Sequence, residues 1–178
     1  QVLGLRAVTG ENANKFVTAP PPDAILNKLG PIIREKVIVE DRTFIIDHPT
    51  DSDRLLDDAA VRTAFSKDEY MPYWTDIWPA SRMLAKAILN ESWVPGTEAL
   101  EVGCGLGLSG IAGLAMGLNV TFSDYDACAL RFASDNARLN GFTHFRTMQL
   151  DWRAPPDDWK VPVILAADLI YEMRNLTP

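Results

Sequence analysis

Hydrophobic positions in the first 70 residues come in short, broken runs, whereas from Thr97 onward they alternate regularly between strand-like and helix-like segments. Residues 1–22 are polar and end in Ala19-Pro20-Pro21-Pro22, a stiff extended lead-in. Asp23 is placed to cap a short helix through Leu29, closed by Gly30-Pro31. Val37–Val39 and Phe44–Ile46 flank the polar Glu40-Asp41-Arg42, which predicts a β-hairpin. Ser52 or Asp53 then opens a predicted helix through Phe65, with Leu55, Leu56, Ala59, Ala60 and Ala64 as its apolar stripe. Pro79, a residue favoured in a first helical turn, starts another that runs to about Leu89.

In the second half Ala99–Val102, Asn119–Ser123, Phe145–Leu150 and Val161–Ala167 read as strands. Between them lie a small-residue helix, Ser109–Met116, ended by Gly117, and a helix over Asp126–Leu139 with an aspartate cap and Gly141 just past its end. Strands separated by helices of this size predict βαβ units in an α/β fold: a Rossmann-like, doubly wound, mainly parallel sheet. The apolar fourth strand suits a place buried on both faces. Residues 1–70 are expected to form an N-terminal extension of helices and hairpin, and residues 71–178 the main domain. Only four strands are predicted before Pro178, and the chain starts at Gln1, so we expect a fragment whose C-terminal part is missing.

Composition narrows the function classes. The 178 residues are 47% hydrophobic and 23% charged, as in ordinary globular proteins. Twenty-four acidic against seventeen basic residues give a net charge of −7. Nucleic-acid binding needs clustered Lys and Arg to neutralise phosphates, so no nucleic-acid partner is expected. No membrane span or secretory signal is visible, which makes the cytoplasm the expected location. Cys104 and Cys128 have neither CxxC spacing nor histidine companions, so buried reduced thiols are predicted and no metal site.

The candidate chemistry begins at Glu101-Val102-Gly103-Cys104-Gly105-Leu106-Gly107-Leu108-Ser109-Gly110. A strand feeding a glycine-rich turn and then a helix presents backbone N–H groups at the carboxyl end of the sheet, where a ligand can press against the main chain. Gly105-x-Gly107-x-x-Gly110 also spells the dinucleotide fingerprint, in which a helix N-terminus receives a pyrophosphate. Glu101 favours another ligand, because a carboxylate there suits an ammonium or sulfonium and repels a pyrophosphate. Asp124 ends the second strand, where a carboxylate can accept ribose hydroxyls. That placement alone serves either cofactor class.

The wording Glu-Val-Gly-Cys-Gly-Leu-Gly resembles motif I of class I S-adenosylmethionine-dependent methyltransferases. Asp168-Leu169-Ile170-Tyr171 is similar to the Asp-x-x-Tyr motif of the seven-strand protein-lysine methyltransferases, a group that includes nicotinamide N-methylase-like proteins. Trp78-Pro79-Ala80 resembles that group's Trp-Pro-Ala segment, and the likeness spans roughly residues 73–173. The resemblance implies S-adenosylmethionine as cofactor, with Glu101, Gly103, Gly105 and Gly107 cradling it and Asp124 binding its ribose. Tyr125 would lie along the adenine or ribose edge. Asp151 would accept from the adenine amino group while the Trp152 backbone meets the ring. Ala167, at the end of the fourth strand, is placed beside the cofactor, and Trp78 is the candidate lid. Taken singly, Trp74 and Trp78 read more readily as core packing.

For the acceptor the resemblance implies a protein lysine or a small amine. A free lysine has pKa ~10.4, so its ammonium must lose a proton before it can attack. Asp168 is read as orienting that amine and Tyr171 as lining its channel, although a lone carboxylate also raises an ammonium's pKa. Two other functions stay open at this point: a nicotinamide-dinucleotide oxidoreductase, and a non-catalytic interaction protein using the fold as scaffold.

Overall fold

A computed structural model of the chain describes residues 28–50, 55, 57–68, 71–156 and 160–170. The polar lead-in and nearly all of the helix expected from Asp23 lie outside these residues. Strands β1 (Ile32–Val39) and β2 (Arg42–Pro49) form an antiparallel hairpin; β1 starts earlier than the apolar run predicted and ends with it, and β2 is longer at both ends. Val37, Val39, Phe44 and Ile46 are buried, the period-two pattern of a sheet with one face on the core.

The helix predicted through Phe65 is interrupted at Asp57 and Asp58: Leu55 is helical and α1 (Ala59–Asp68) follows, while the predicted start at Ser52 or Asp53 lies outside the described residues. The Asp58 carboxylate accepts from the Val61 N–H at 3.4 Å, so Asp58 caps α1. Ala59, expected in the buried stripe, is exposed, while Leu55 and Val61 are buried. A 3-10 turn over Tyr73–Thr75 then leads to α2 (Pro79–Asn90), with Pro79 in its first turn as predicted.

The main sheet is built by β3 (Glu98–Val102), α3 (Leu108–Ala115), β4 (Asn119–Asp124), α4 (Ala127–Leu139), β5 (Arg146–Gln149) and β6 (Val163–Ala166). Its order is β5-β4-β3-β6, and every neighbouring pair is parallel. The Rossmann-like reading of the sequence is thus the observed architecture. One strand departs from it. Ile164 is 63% exposed and only Leu165 of β6 is buried, because β6 is the outer strand of the described sheet.

Helices α3 and α4 end on the same device. Gly117 N–H donates to Leu114 C=O and Leu118 N–H to Gly113 C=O, both at 3.0 Å. Gly141 and Phe142 repeat the pair on Arg138 and Ala137, at 2.9 and 3.0 Å. The left-handed backbone that closes such an end is what glycine adopts without strain.

The hairpin is fastened to this core by two helices. From α2, Arg82 reaches Glu35 at 2.7 Å and Lys86 reaches Glu40 at 2.6 Å, one helical turn apart. From α4, Asn140 takes the Ile45 N–H at 2.9 Å and returns a bond to the Ile45 carbonyl at 2.7 Å. Asn136 does the same for Asp47, at 2.8 and 3.1 Å. Two carboxamides thereby satisfy the outer edge of β2 as a neighbouring strand would. Among the described residues, no helix is long and apolar enough to cross a membrane.

Candidate cofactor site

Strand order reverses at β3, which pairs with β4 on one side and β6 on the other. Open parallel sheets bind ligands beyond the carboxyl ends of the strands at such a reversal. The glycine turn leaves β3 at that point and is stitched to the tip of β4. Cys104 N–H donates to Ser123 C=O at 2.9 Å, and Gly105 N–H donates to Asp124 Oδ2 at 2.9 Å. Asp124 Oδ1 accepts from the Asp126 N–H at 2.9 Å, while Asp126 itself caps α4 through Cys128 N–H at 2.7 Å. Asp124 is therefore not needed as the helix cap, and both its oxygens keep acceptor capacity beyond these bonds. Burial pushes its pKa up to about 6, against the pull of the backbone N–H groups that face it.

Glu101 lies deeper, only 4% exposed, beneath the first turn of α3. A Cβ on Gly110 would stand 2.5 Å from Glu101 Oε2 and would overlap the Phe122 ring, so a residue without a side chain is required there. Burial raises the Glu101 pKa to about 8; the Gly110 N–H and the hydroxyl and N–H of Ser109 oppose the rise and the charge of Asp124 adds to it. Its Oε2 has no hydrogen-bond partner among the described residues. An orphaned buried acceptor is costly, and it is the feature that fits a ligand carrying an ammonium or sulfonium. Gly107 holds a φ of 85°, and a Cβ there would come within 2.9 Å of the Ala133 Cβ, which fixes how close the turn packs on α4.

The adenine-side residues gather beside this turn. Leu150 N–H donates to Asp124 C=O at 2.9 Å, which sets Asp151 just past the tip of β4. Asp151 Oδ1 accepts from Arg153 N–H at 3.0 Å and Nε at 2.9 Å, and Oδ2 accepts from Nη2 at 2.9 Å. The same guanidinium lies over the Tyr125 ring, 5.6 Å from its centroid. Trp152 is half-buried in the turn between them. Arg153 escaped the sequence reading, although its place two residues after Asp151 is the spacing of a local carboxylate turn.

Past β6, Ala167 is half-buried, and Asp168 is exposed with a φ of 54°, unusual for a residue with a side chain. Leu169 folds back over Gly103, where a Cβ would overlap its Cδ2. Tyr171 lies outside the described residues. Trp78 is 41% exposed at the start of α2, its Nε1 donating to Tyr73 C=O at 2.7 Å. Trp74 is the tryptophan whose backbone stands over Gly105, and its ring stacks on Phe132 at 5.3 Å. Both cysteines are buried and reduced, as expected. The structure thus brings together Glu101, the glycine turn, Asp124, Tyr125 and Asp151 at one edge of the sheet.

A parallel sheet of this order, with a carboxylate ahead of a glycine turn and a second at the next strand tip, has the form of the cofactor half of an S-adenosylmethionine-dependent methyltransferase. The model of a family described as lysine methyltransferase matches residues 65–178, and the chain belongs to that family, whose methyl donor is S-adenosylmethionine. Over 104 residues it is 32% identical to the electron transfer flavoprotein beta subunit lysine methyltransferase of Danio rerio, covering 57% of this chain and 40% of that protein. Over 82 residues it is 35% identical to the ribosomal protein L11 methyltransferase of Synechococcus sp. (strain RCC307), covering 46% of this chain and 27% of that one. The chain therefore spans less than half the length of these curated relatives. Among solved structures it is similar to ribosomal protein L11 methylase from Lactobacillus delbrueckii subsp. bulgaricus, with 26% identity and a TM-score of 0.43, covering 49% of this chain and 45% of that one.

Proposed function

We propose that the chain is the cofactor-binding part of an N-methyltransferase that modifies lysine side chains of a protein. The carrying observation is the pair of carboxylates at the strand reversal, buried Glu101 with its orphaned Oε2 and half-buried Asp124 bonded to the Gly105 N–H. Glu101 holds the cationic amino-acid end of the cofactor, Asp124 its ribose hydroxyls, and Tyr125, Asp151 and Trp152 its adenine. Gly103, Gly105 and Gly107 keep side chains out of its path, with Trp78 at the rim and Ala167 alongside. When bound, the cofactor supplies a sulfonium-activated methyl group for in-line displacement by a neutral amine. The chain's own task is to hold that amine in line and without its proton. Asp168, projecting beyond β6, orients the acceptor, and Tyr171 lines its approach.

A protein acceptor is supported by the family and by the relative in Danio rerio, which is named for methylating a protein subunit. The net charge of −7 favours a basic, lysine-bearing surface over nucleic acid, and the cytoplasm is part of the same proposal. Calorimetry with S-adenosylhomocysteine and NAD in parallel tests the cofactor, with heat expected for the first alone. A chain that ignores S-adenosylhomocysteine at millimolar levels, or that prefers NAD, refutes the reading. Labelled methyl donor with protein extract, before and after chemical blocking of lysines, tests the acceptor. Label that survives blocking excludes lysine.

A further inference from the structure

The side chain of Asn136 is wholly buried and makes three bonds to two other segments. Its Oδ1 accepts from Asp47 N–H at 2.8 Å, and its Nδ2 donates to Asp47 C=O at 3.1 Å and to Leu106 C=O at 3.0 Å. Leu106 sits between Gly105, whose N–H is held by Asp124, and Gly107, which packs on Ala133 one turn before Asn136 on the same helix. The glycine turn is therefore held from two directions: at its front by Asp124 and at its back by Asn136. The back support is anchored in the N-terminal hairpin, 89 residues away in sequence.

Asn140 supplies an internal comparison. It makes the same two bonds to the hairpin, on Ile45, and its remaining bond goes to the carbonyl of Asn136 within α4, not to the glycine turn. Of these two matched amides, only Asn136 ties the hairpin to the turn.

We propose that Asn136 is a positioning residue for cofactor binding, through which the β1–β2 hairpin braces the glycine turn in its ligand-ready shape. The inference rests on the reading that the turn holds S-adenosylmethionine. A turn without this bond keeps the Asp124 contact but gains freedom at Leu106, and a ligand must order it on binding. Loss of one buried hydrogen bond of ordinary strength corresponds to about five- to tenfold in affinity. Because coupling is reciprocal, ligand binding must in turn steady the hairpin at Asp47.

The test is calorimetry of S-adenosylhomocysteine on the unmodified chain, Asn136→Ala and Asn140→Ala, with amide hydrogen exchange on the unmodified chain. Asn136→Ala should weaken binding about five- to tenfold and Asn140→Ala less than twofold, although both lower the melting temperature. Exchange at the Asp47 amide should slow on ligand addition, while that at the Ile45 amide stays unchanged. Equal affinity in both variants, equal weakening in both, or an Asp47 amide indifferent to ligand would overturn the inference and leave the cofactor reading standing. Should Asn136→Ala fail to fold, Asn136→Ser and the exchange data on the unmodified chain decide it. An unmodified chain that binds no S-adenosylhomocysteine refutes the proposed function, and this inference falls with it.

Discussion

Replacing Glu101 by glutamine separates what the buried carboxylate costs from what it does. Its pKa rises from 4.5 to about 8, with burial as the chief cause. An acid whose pKa is raised by folding contributes its stability fully below the unfolded value and loses it as pH climbs through the folded one. Each pH unit in that window costs about 1.4 kcal/mol. By pH 7 the loss is roughly 3 kcal/mol, and it approaches 5 kcal/mol above pH 8. Glutamine keeps the shape and carries no charge to desolvate. Glu101→Gln should therefore melt close to the parent at pH 5 and roughly 6–12 °C above it at pH 7, with the gap still widening toward pH 9. Asp124, raised to about 6, adds a smaller loss of the same sign in both proteins, so it cancels in the comparison. Thermal melts followed by circular dichroism across pH 5 to 9 make the measurement. Parallel melting curves for the two proteins would refute the buried-charge argument. The same substitution should weaken binding of the cationic cofactor, since it removes the anion the ammonium would meet. Stability gained and affinity lost in one variant is the signature of a charge kept for function.

Asp124→Ala strips acceptors from the N–H groups of Gly105 and Asp126 and should cost about 2–4 kcal/mol in urea unfolding while abolishing S-adenosylhomocysteine binding. Gly110→Ala forces a methyl group onto Phe122 and Glu101 Oε2, so a loss of about 2 kcal/mol or more is expected in the same assay, against about 1 kcal/mol gained were the helix free to accept alanine. Arg153→Ala removes the two guanidinium bonds to Asp151 and the cation from the Tyr125 ring while keeping the backbone N–H bond, and calorimetry should show weaker adenosine-end binding; an unchanged dissociation constant would mean that the Arg153 side chain does not set the Asp151 geometry. Arg82→Ala, by contrast, breaks a half-exposed ion pair and should shift stability by less than about 1 kcal/mol, the more so at high salt.

The second half of the chain was legible because its rules are local. Strands β3, β4 and β6 carry their own apolar positions, β5 is flanked by Phe145 and Leu150, α4 has its aspartate cap, and α3 and α4 the glycine past their last turn, so their ends fall within two residues of those expected. The break at Asp57 and Asp58 was not legible for a related reason: Asp58 is one more acid in a run of polar residues, and its role as the cap of α1 shows only in its bond to the Val61 N–H. Glu101, Asp124 and Asp151 were visible as carboxylates at strand ends, since a parallel sheet gathers consecutive strand tips on one edge.

What the sequence by itself determined, then, is the alternation of strands and helices and the edge where carboxylates and glycines collect. Only the tertiary structure decided that Glu101 is buried under α3 with an oxygen left over, that Arg153 occupies Asp151, and that Asn136 joins the hairpin to the glycine turn. Burial, charge pairing and bonds between segments 89 residues apart depend on which surfaces meet. Local pattern carries no record of that, because any exposed asparagine at the same helical spacing would be spelled the same way.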